Sequence, residues 1–363
     1  MIYKKFQEIN LPALGMGAMR FDGTPEDDYA NDRETVDYAM ANGINFFDTA
    51  YGYGKNGASE KCLGVLLEKY PRESYYLSTK YMIHSGEDYK AIFAESLARL
   101  RTDYIDFYML HGLGDDTCQR YIDSGCIDYF SGLKQKGLIK YFGFSSHAGP
   151  DTLEKFVGLR DWDFVMIQLN YYDWVYGQAK REYGILKKRD IPVFAMESIR
   201  GGRLASLSPE AEAVLKAARP DWSVASWFFL WAKSLPEVQV VLSGMKKLEH
   251  MIENNILFSS SGGELSEAEE KLLFEACEKY RGEVSVLCTS CNYCVNDCPA
   301  EINIPNIIDL YNYFQTDKPW DKKERLERAD SKGKPGDCAS CGVCNGRCPQ
   351  KIDIVKIMQE LKI

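Results

Sequence analysis

The sequence contains no apolar run near the roughly 18 residues that a membrane-spanning helix needs. Its longest apolar stretches, such as Trp227 to Trp231 and Val238 to Leu242, are far shorter, so no span is predicted. Met1 to Asn10 lacks the basic region, apolar stretch and small-residue cleavage site of a secretory signal, and a cytoplasmic protein is expected. An excess of positive charge is also missing: Lys and Arg total 44 against 53 Asp and Glu. A net charge of −9 argues against nonspecific nucleic-acid binding. No G-x-G-x-x-G opens a helix after a strand, since the glycines of "LGMGAMR" fall within a strand, and this disfavours a Rossmann nucleotide fold. Apart from one duplicated cysteine run there is no internal repeat and no long low-complexity segment.

What is present is a chain of 363 residues, 45% hydrophobic and 13% aromatic, enough for a large core and roughly one to three domains. Twelve cysteines without a secretory signal do not suit disulfides, because the cytosol keeps thiols reduced. Cys62, Cys118, Cys126 and Cys277 are scattered singly and read as buried small apolar residues. The other eight fall into two copies of one spacing.

Up to about residue 260, β-rich runs alternate with helical segments. The runs are Leu14 to Met19, Ile44 to Asp48, Tyr75 to Thr79, Ile105 to Leu110, Tyr141 to Phe144, Phe164 to Leu169, Pro192 to Met196 and Val238 to Leu242. Tyr89 to Leu100 shows helical spacing, with Ile92, Phe93, Leu97 and Leu100 on one stripe. Eight strands with intervening helices over about 250 residues predict a (β/α)₈ TIM barrel rather than an open doubly wound sheet. Near residue 260 the pattern changes: Ser259 to Gly263 is small and polar, and Glu264 to Tyr280 reads as a charged helix. The expected organisation is a barrel over 1–260, a linker helix over 261–280 and a small, mainly α-helical cysteine-bearing domain over 281–363.

Cys288, Cys291, Cys294 and Cys298, followed by Pro299, form C-x₂-C-x₂-C-x₃-C-P; Cys338, Cys341, Cys344 and Cys348, followed by Pro349, repeat it. Thiolates at this spacing also suit a structural Cys₄ zinc site, but duplication with both trailing prolines argues against zinc. The run resembles the bacterial ferredoxin pattern, in which three close thiolates hold one [4Fe–4S] cluster and the fourth cysteine ligates the other. That resemblance implies two [4Fe–4S] clusters, one on Cys288, Cys291, Cys294 and Cys348, the other on Cys338, Cys341, Cys344 and Cys298. The gap between the runs is longer than in a minimal ferredoxin, so the domain resembles ferredoxin-like iron-sulfur modules appended to larger enzymes.

Four polar residues close three successive strands. Asp48 ends the second and Tyr53 follows five residues later across a turn; Lys80 ends the third in "YYLSTK" and His111 the fourth in "YIDFYMLH". Any one alone is as well explained as a surface or salt-bridged residue, but together they point to the barrel mouth, where barrel enzymes place their chemistry.

On these residues the first 260 positions resemble the aldo-keto reductases, and the whole chain resembles the branch with a ferredoxin-type extension. The resemblance implies a catalytic tetrad of Asp48, Tyr53, Lys80 and His111. Tyr53 would protonate the carbonyl oxygen as hydride arrives, Lys80 oriented by Asp48 would ease release of its proton, and His111 would hydrogen-bond the same oxygen. It also implies nicotinamide-carboxamide contacts at Ser145, Ser146 and Gln168, and adenine contacts at Glu253 and Asn254. Met196 or Glu197 stands where the family often has a tyrosine stacked on nicotinamide. Gly244, Met245 and His250 replace its Lys, Ser and Arg around the 2′-phosphate; Lys246 and Lys247 could supply positive charge from another angle, but an imidazole does not reproduce a guanidinium fork, so NADP and NAD both remain open. Gly201 and Gly202 read either as a loop over the pyrophosphate or as plain loop punctuation.

Hydride delivers two electrons, whereas a [4Fe–4S] cluster normally takes one. Three readings follow. The barrel is a carbonyl reductase whose cluster domain is structural or docks a partner; or it holds a flavin wired through the clusters to a ferredoxin- or flavodoxin-like electron donor; or the chain is a redox-sensing or electron-transfer subunit. The mouth is expected near Met19, Tyr51, Met82, Trp174 and the loop after His111, a lining suited to a small or medium carbonyl compound.

Overall fold

The computed structural model describes residues 1–21, 23–25, 28–86, 88–260, 264–283, 285–316 and 321–362. Ser261, Gly262 and Gly263 of the expected linker lie outside the described residues. Contacts divide the chain into two units, Met1–Ser198 with Phe228–Leu265, and Ile199–Trp227 with Ser266–Ile363.

The first unit opens with an antiparallel hairpin of β1 (Tyr3–Phe6) and β2 (Ile9–Pro12). Eight strands follow: β3 (Leu14–Gly17), β4 (Phe46–Asp48), β5 (Tyr76–Tyr81), β6 (Ile105–Leu113), β7 (Ile139–Ser146), β8 (Val165–Gln168), β9 (Val193–Met196) and β10 (Val238–Ser243). They pair in parallel, each with its sequence neighbour, and β10 closes on β3 to complete a barrel. All eight expected runs are strands, with ends displaced by a few residues.

Phe46, Phe107, Met109, Phe164, Met166, Phe194, Val240 and Leu242 fill the barrel as one apolar cluster together with Phe6 and Leu11 of the hairpin. The Phe6 ring lies 5.6 Å from Phe107, 5.0 Å from Tyr141 and 5.9 Å from Phe194, all near the starts of their strands, so the hairpin plugs the N-terminal end. Burying one such side chain stabilises by about 1.5–3 kcal/mol. The interior leaves no space at Gly15, where a Cβ would stand 2.8 Å from Leu242 and Val240. The hairpin escaped the sequence reading because its strands are four residues long, carry Lys4 and Lys5, and turn through Gln7 at φ 48°.

The second unit is helical. The helix Pro209–Ala218 packs on Glu267–Glu283, and Arg219 Nη2 meets Glu269 Oε1 at 2.6 Å. By contacts, residues 199–227 and the helix Glu267–Glu283 cluster with the C-terminal part. Shorter helices, Ile304–Thr316, Lys322–Glu327, Val343–Arg347 and Ile354–Glu360, surround a core that joins Cys288, Cys294, Cys344 and Cys348 to Ile302, Ile304, Ile307, Ile308, Ile354 and Met358. A parallel bridge pairs Ile302 with Gly333, and only glycine fits there, since a Cβ would fall 1.8 Å from the Ala300 carbonyl oxygen. Among the described residues no helix is long and apolar enough to cross a membrane.

Candidate active site and cysteine groups

The ends of β4, β5 and β6 bring the four polar residues together. Asp48 pairs in register with Ser78, and Lys80 with Met109, so alternation along β5 puts Ser78 and Lys80 on one face. Lys80 Nζ donates to Asp48 Oδ2 at 2.6 Å and to the Thr49 carbonyl at 2.6 Å, while Ser78 Oγ donates to Asp48 Oδ1 at 2.8 Å. Asp48 and Lys80 are buried, at 4% and 1% exposure. Burial pulls the Lys80 pKa below the ordinary ammonium value, with Asp48 opposing. Two of the three ammonium hydrogens are used by Asp48 and Thr49, and Nζ sits 5.0 Å from the centre of the Tyr53 ring. Tyr53 is half-buried in the turn after β4, and its ring meets His111 edge to face with centroids 5.4 Å apart. His111 is buried; desolvation, then Lys80 and His147, holds its pKa well below the usual imidazole range. It is neutral at neutral pH.

Ser145, Ser146, Gln168 and Met196 end β7, β8 and β9, and Gln168 pairs in register with Met196. The Gly112 amide donates to Ser145 Oγ at 2.8 Å, and Gln168 Nε2 donates to Asp173 Oδ2 at 2.6 Å. Gly244 and Met245 follow β10, and Glu253 and Asn254 lie on the helix Leu248–Ser259, where Asn254 Nδ2 reaches Ser243 Oγ at 3.4 Å. His250 is exposed beside Glu249. Gly201 and Gly202 belong to the second unit. Two residues expected at the mouth point elsewhere. The Tyr51 hydroxyl donates to Glu95 at 2.8 Å and its ring lies under Arg99, 4.3 Å away, so it faces the helix Tyr89–Leu100. Trp174 packs on Trp231 and Tyr183 with centroids 5.2 and 5.5 Å apart. Tyr51 is thus held by polar and cation–π contacts and Trp174 by aromatic packing. Met19 and Met82 are half-buried just beyond β3 and β5.

In the second unit the two cysteine runs cross. Cys298, Cys338, Cys341 and Cys344 line one cavity, walled otherwise by apolar groups including Ile302, Ile304, Ile354 and Met358. Cys291, Cys288 and Cys348 are the thiols whose charges would act on Cys294, and burial is the larger cause raising its pKa. Among the described residues no three His, Cys, Asp or Glu side chains converge closely enough for a single ion. A zinc ion would hold its sulfurs at about 2.3 Å, whereas an apolar cavity rimmed by four thiols fits a larger sulfur-rich group. Cys62, Cys118, Cys126 and Cys277 are all buried, and burial pushes the Cys277 thiol up to about 12, which keeps it protonated and inert.

Residues 13–271 match the model of the aldo/keto reductase family. The chain belongs to that family. Residues 287–352 of this aldo-keto reductase match a 4Fe-4S dicluster domain. It is 28% identical over 297 residues to an uncharacterised oxidoreductase of Bacillus subtilis, YqkF, covering 73% of this chain and 92% of that one. A probable aldo-keto reductase of Glycine max is 32% identical over 162 residues, covering 41% of this chain and 45% of the relative. Among solved structures, aldo-keto reductase AKR11C1 from Bacillus halodurans in its holo form superposes with a TM-score of 0.63 at 23% identity, covering 76% of this chain and 96% of that one. One from Klebsiella pneumoniae in complex with NADP and acetate gives 0.60 at 20% identity, covering 76% and 93%.

Sequence reasoning missed several residues around the reductase site. Thr49 and Ser78 brace the Lys80–Asp48 pair, and the period of two along "YYLSTK" was the available signal for Ser78. Asp173 holds Gln168, and Tyr121 donates to the His111 carbonyl at 2.7 Å. Ser198, just after β9, is 1% exposed, and its hydroxyl has no hydrogen-bond partner among the described residues. Such an orphaned donor suits a ligand oxygen.

The ion pair yields a stability prediction. Lys80→Met strands the Asp48 charge, and removing one partner of a buried pair costs about 3–5 kcal/mol. The variant should melt earlier, and adding Asp48→Asn should restore much of the melting temperature without restoring activity. Thermal melts of the two variants beside the parent check this.

Proposed function

We propose that this aldo-keto reductase interconverts a small or medium carbonyl compound and its alcohol with NAD(P)H, and carries two [4Fe–4S] clusters. One observation carries the reading: a buried Lys80–Asp48 pair beneath the ring of Tyr53, with neutral His111 against that ring's edge. Bound nicotinamide would supply the hydride. The protein's own groups manage the oxygen. Tyr53 gives its hydroxyl proton to the carbonyl oxygen, the Lys80 ammonium stabilises the phenolate left behind, and Asp48 with Thr49 keeps that ammonium in place. Neutral His111 donates a hydrogen bond to the same oxygen.

Ser145, Ser146 and Gln168 would hold the carboxamide, with Gln168 fixed by Asp173; Glu253 and Asn254 would hold the adenine and Ser198 a phosphate oxygen. The NADP bound to the Klebsiella pneumoniae relative supports a nicotinamide cofactor. Around the 2′-phosphate, Gly244, Met245 and His250 offer no guanidinium fork, so NADH is expected to serve at least as well as NADPH. The clusters would use Cys288, Cys291, Cys294 and Cys348, and Cys298, Cys338, Cys341 and Cys344, and would exchange single electrons with a ferredoxin- or flavodoxin-like protein.

The test uses anaerobically purified holoprotein, with NADH or NADPH oxidation followed against a panel of small aldehydes and ketones. Carbonyl-dependent oxidation, one nucleotide per alcohol formed, supports the proposal. Stoichiometric flavin on denaturation would replace it with the flavin reading, which Met196 at the nicotinamide-stacking position favours. Absence of turnover with both cofactors would leave the sensory role.

A further inference from the structure

The turn after β9 carries two arginines into the cysteine groups of its own unit. Residues 200–202 all have left-handed backbone, Arg200 at φ 44°, Gly201 at 64° and Gly202 at 103°, so the chain doubles back: Gly202 N and Leu204 N both donate to the Ile199 carbonyl, at 2.9 and 3.1 Å. This throws Arg200 and Arg203 outward from one tight turn. Buried Arg200, 6% exposed, donates to the Leu287 carbonyl at 3.1 Å and to Gln350 Oε1 at 2.8 Å. Arg203 donates to the Cys288 carbonyl at 2.9 Å and pairs with Asp309. Leu287 directly precedes Cys288, and Gln350 lies two residues past Cys348. The two guanidinium groups therefore grip both chain segments that supply Cys288 and Cys348, which sequence pattern and thiol proximity assign to one cluster. On the other set, the Cys338 carbonyl accepts from Lys362 at 3.1 Å, but Lys362 is exposed and its charge is screened by water. Cys341 is exposed as well.

We infer that Arg200 and Arg203 are positioning residues that make the two clusters unequal, raising the reduction potential of the one on Cys288, Cys291, Cys294 and Cys348 above that of its neighbour. Reduction adds negative charge to the cluster. A fixed positive charge nearby stabilises the reduced form, and more so where burial lowers the effective dielectric. Hydrogen bonds to the ligand-bearing backbone add to the same effect and hold the loop. One electron added to the chain therefore rests on this cluster. The inference depends on the two-cluster proposal; failure of that proposal shows as missing iron, and failure of this one as unmoved potentials.

The experiment is an anaerobic redox titration of the holoprotein with dithionite and mediators, followed by electron paramagnetic resonance, with iron measured on the same samples. The parent should show two midpoints. Arg200→Gln and Arg203→Gln should each lower the higher midpoint and leave the lower one in place, with iron unchanged, while Arg200→Lys, which keeps the charge, should move it less. Asp309→Asn removes the carboxylate beside Arg203 and should move the same midpoint upward; being a mild surface change, it decides the matter if an arginine variant loses its clusters. Opposite shifts in the Arg203 and Asp309 variants at one midpoint support the inference. Unmoved midpoints, or equal shifts at both, overturn it and leave the arginines as braces.

Discussion

Tyr53→Phe is expected to lower carbonyl reduction by about 10²–10⁴-fold, the usual contribution of a positioned proton donor, with nucleotide affinity unchanged. The substitution keeps the ring that covers Lys80 and meets His111 and deletes only the oxygen carrying the proton. His111 cannot take over as the acid, because desolvation and Lys80 hold it neutral; protonating it would need a pH well below its ordinary range. Single-turnover rates with NADH and nucleotide dissociation constants separate the outcomes. Loss of rate at constant affinity assigns the proton to Tyr53. Full activity in the Phe variant would mean that another group or water supplies it, and the proposed reaction would need a different donor.

A second large effect concerns iron. Cys298 belongs by position to the first cysteine run, yet it lines a cavity with Cys338, Cys341 and Cys344 of the second. Cys298→Ala and Cys341→Ala should therefore damage the same cluster, and the double variant should retain about four of the roughly eight irons of a two-cluster chain. If each run held its own cluster, the double variant would lose nearly all of them. Iron per chain, measured on anaerobically purified protein, distinguishes the two wirings.

Much of this was legible in the sequence because its signals are local. The eight barrel strands show as branched and aromatic runs, the tetrad sits at consecutive strand ends, and each cysteine run is complete within a dozen residues. What stayed hidden depends on distance along the chain. Arg200 reaches Leu287 across 87 positions and Gln350 across 150, and no spacing within "SIRGGRL" announces either partner. Tyr51 and Trp174 were misplaced for another reason: an aromatic side chain near a strand end has the same appearance in sequence whether it faces the mouth or the outer helices. The N-terminal hairpin was missed because strands of four residues bearing lysines give no apolar alternation strong enough to stand out.

The allocation of residues 199–227 to the second unit bears on where such a chain can be cut. A simple appendage would end at one junction, and a truncation there would leave a self-sufficient reductase. Here the chain passes from one unit to the other at 198/199, 227/228 and 265/266. A stop codon near residue 266 would leave the helix Pro209–Ala218 without the helix it packs on, and a gene fragment beginning there would encode cysteine runs without Arg200 and Arg203. A cut at residue 266 would therefore separate segments that pack together within the second unit.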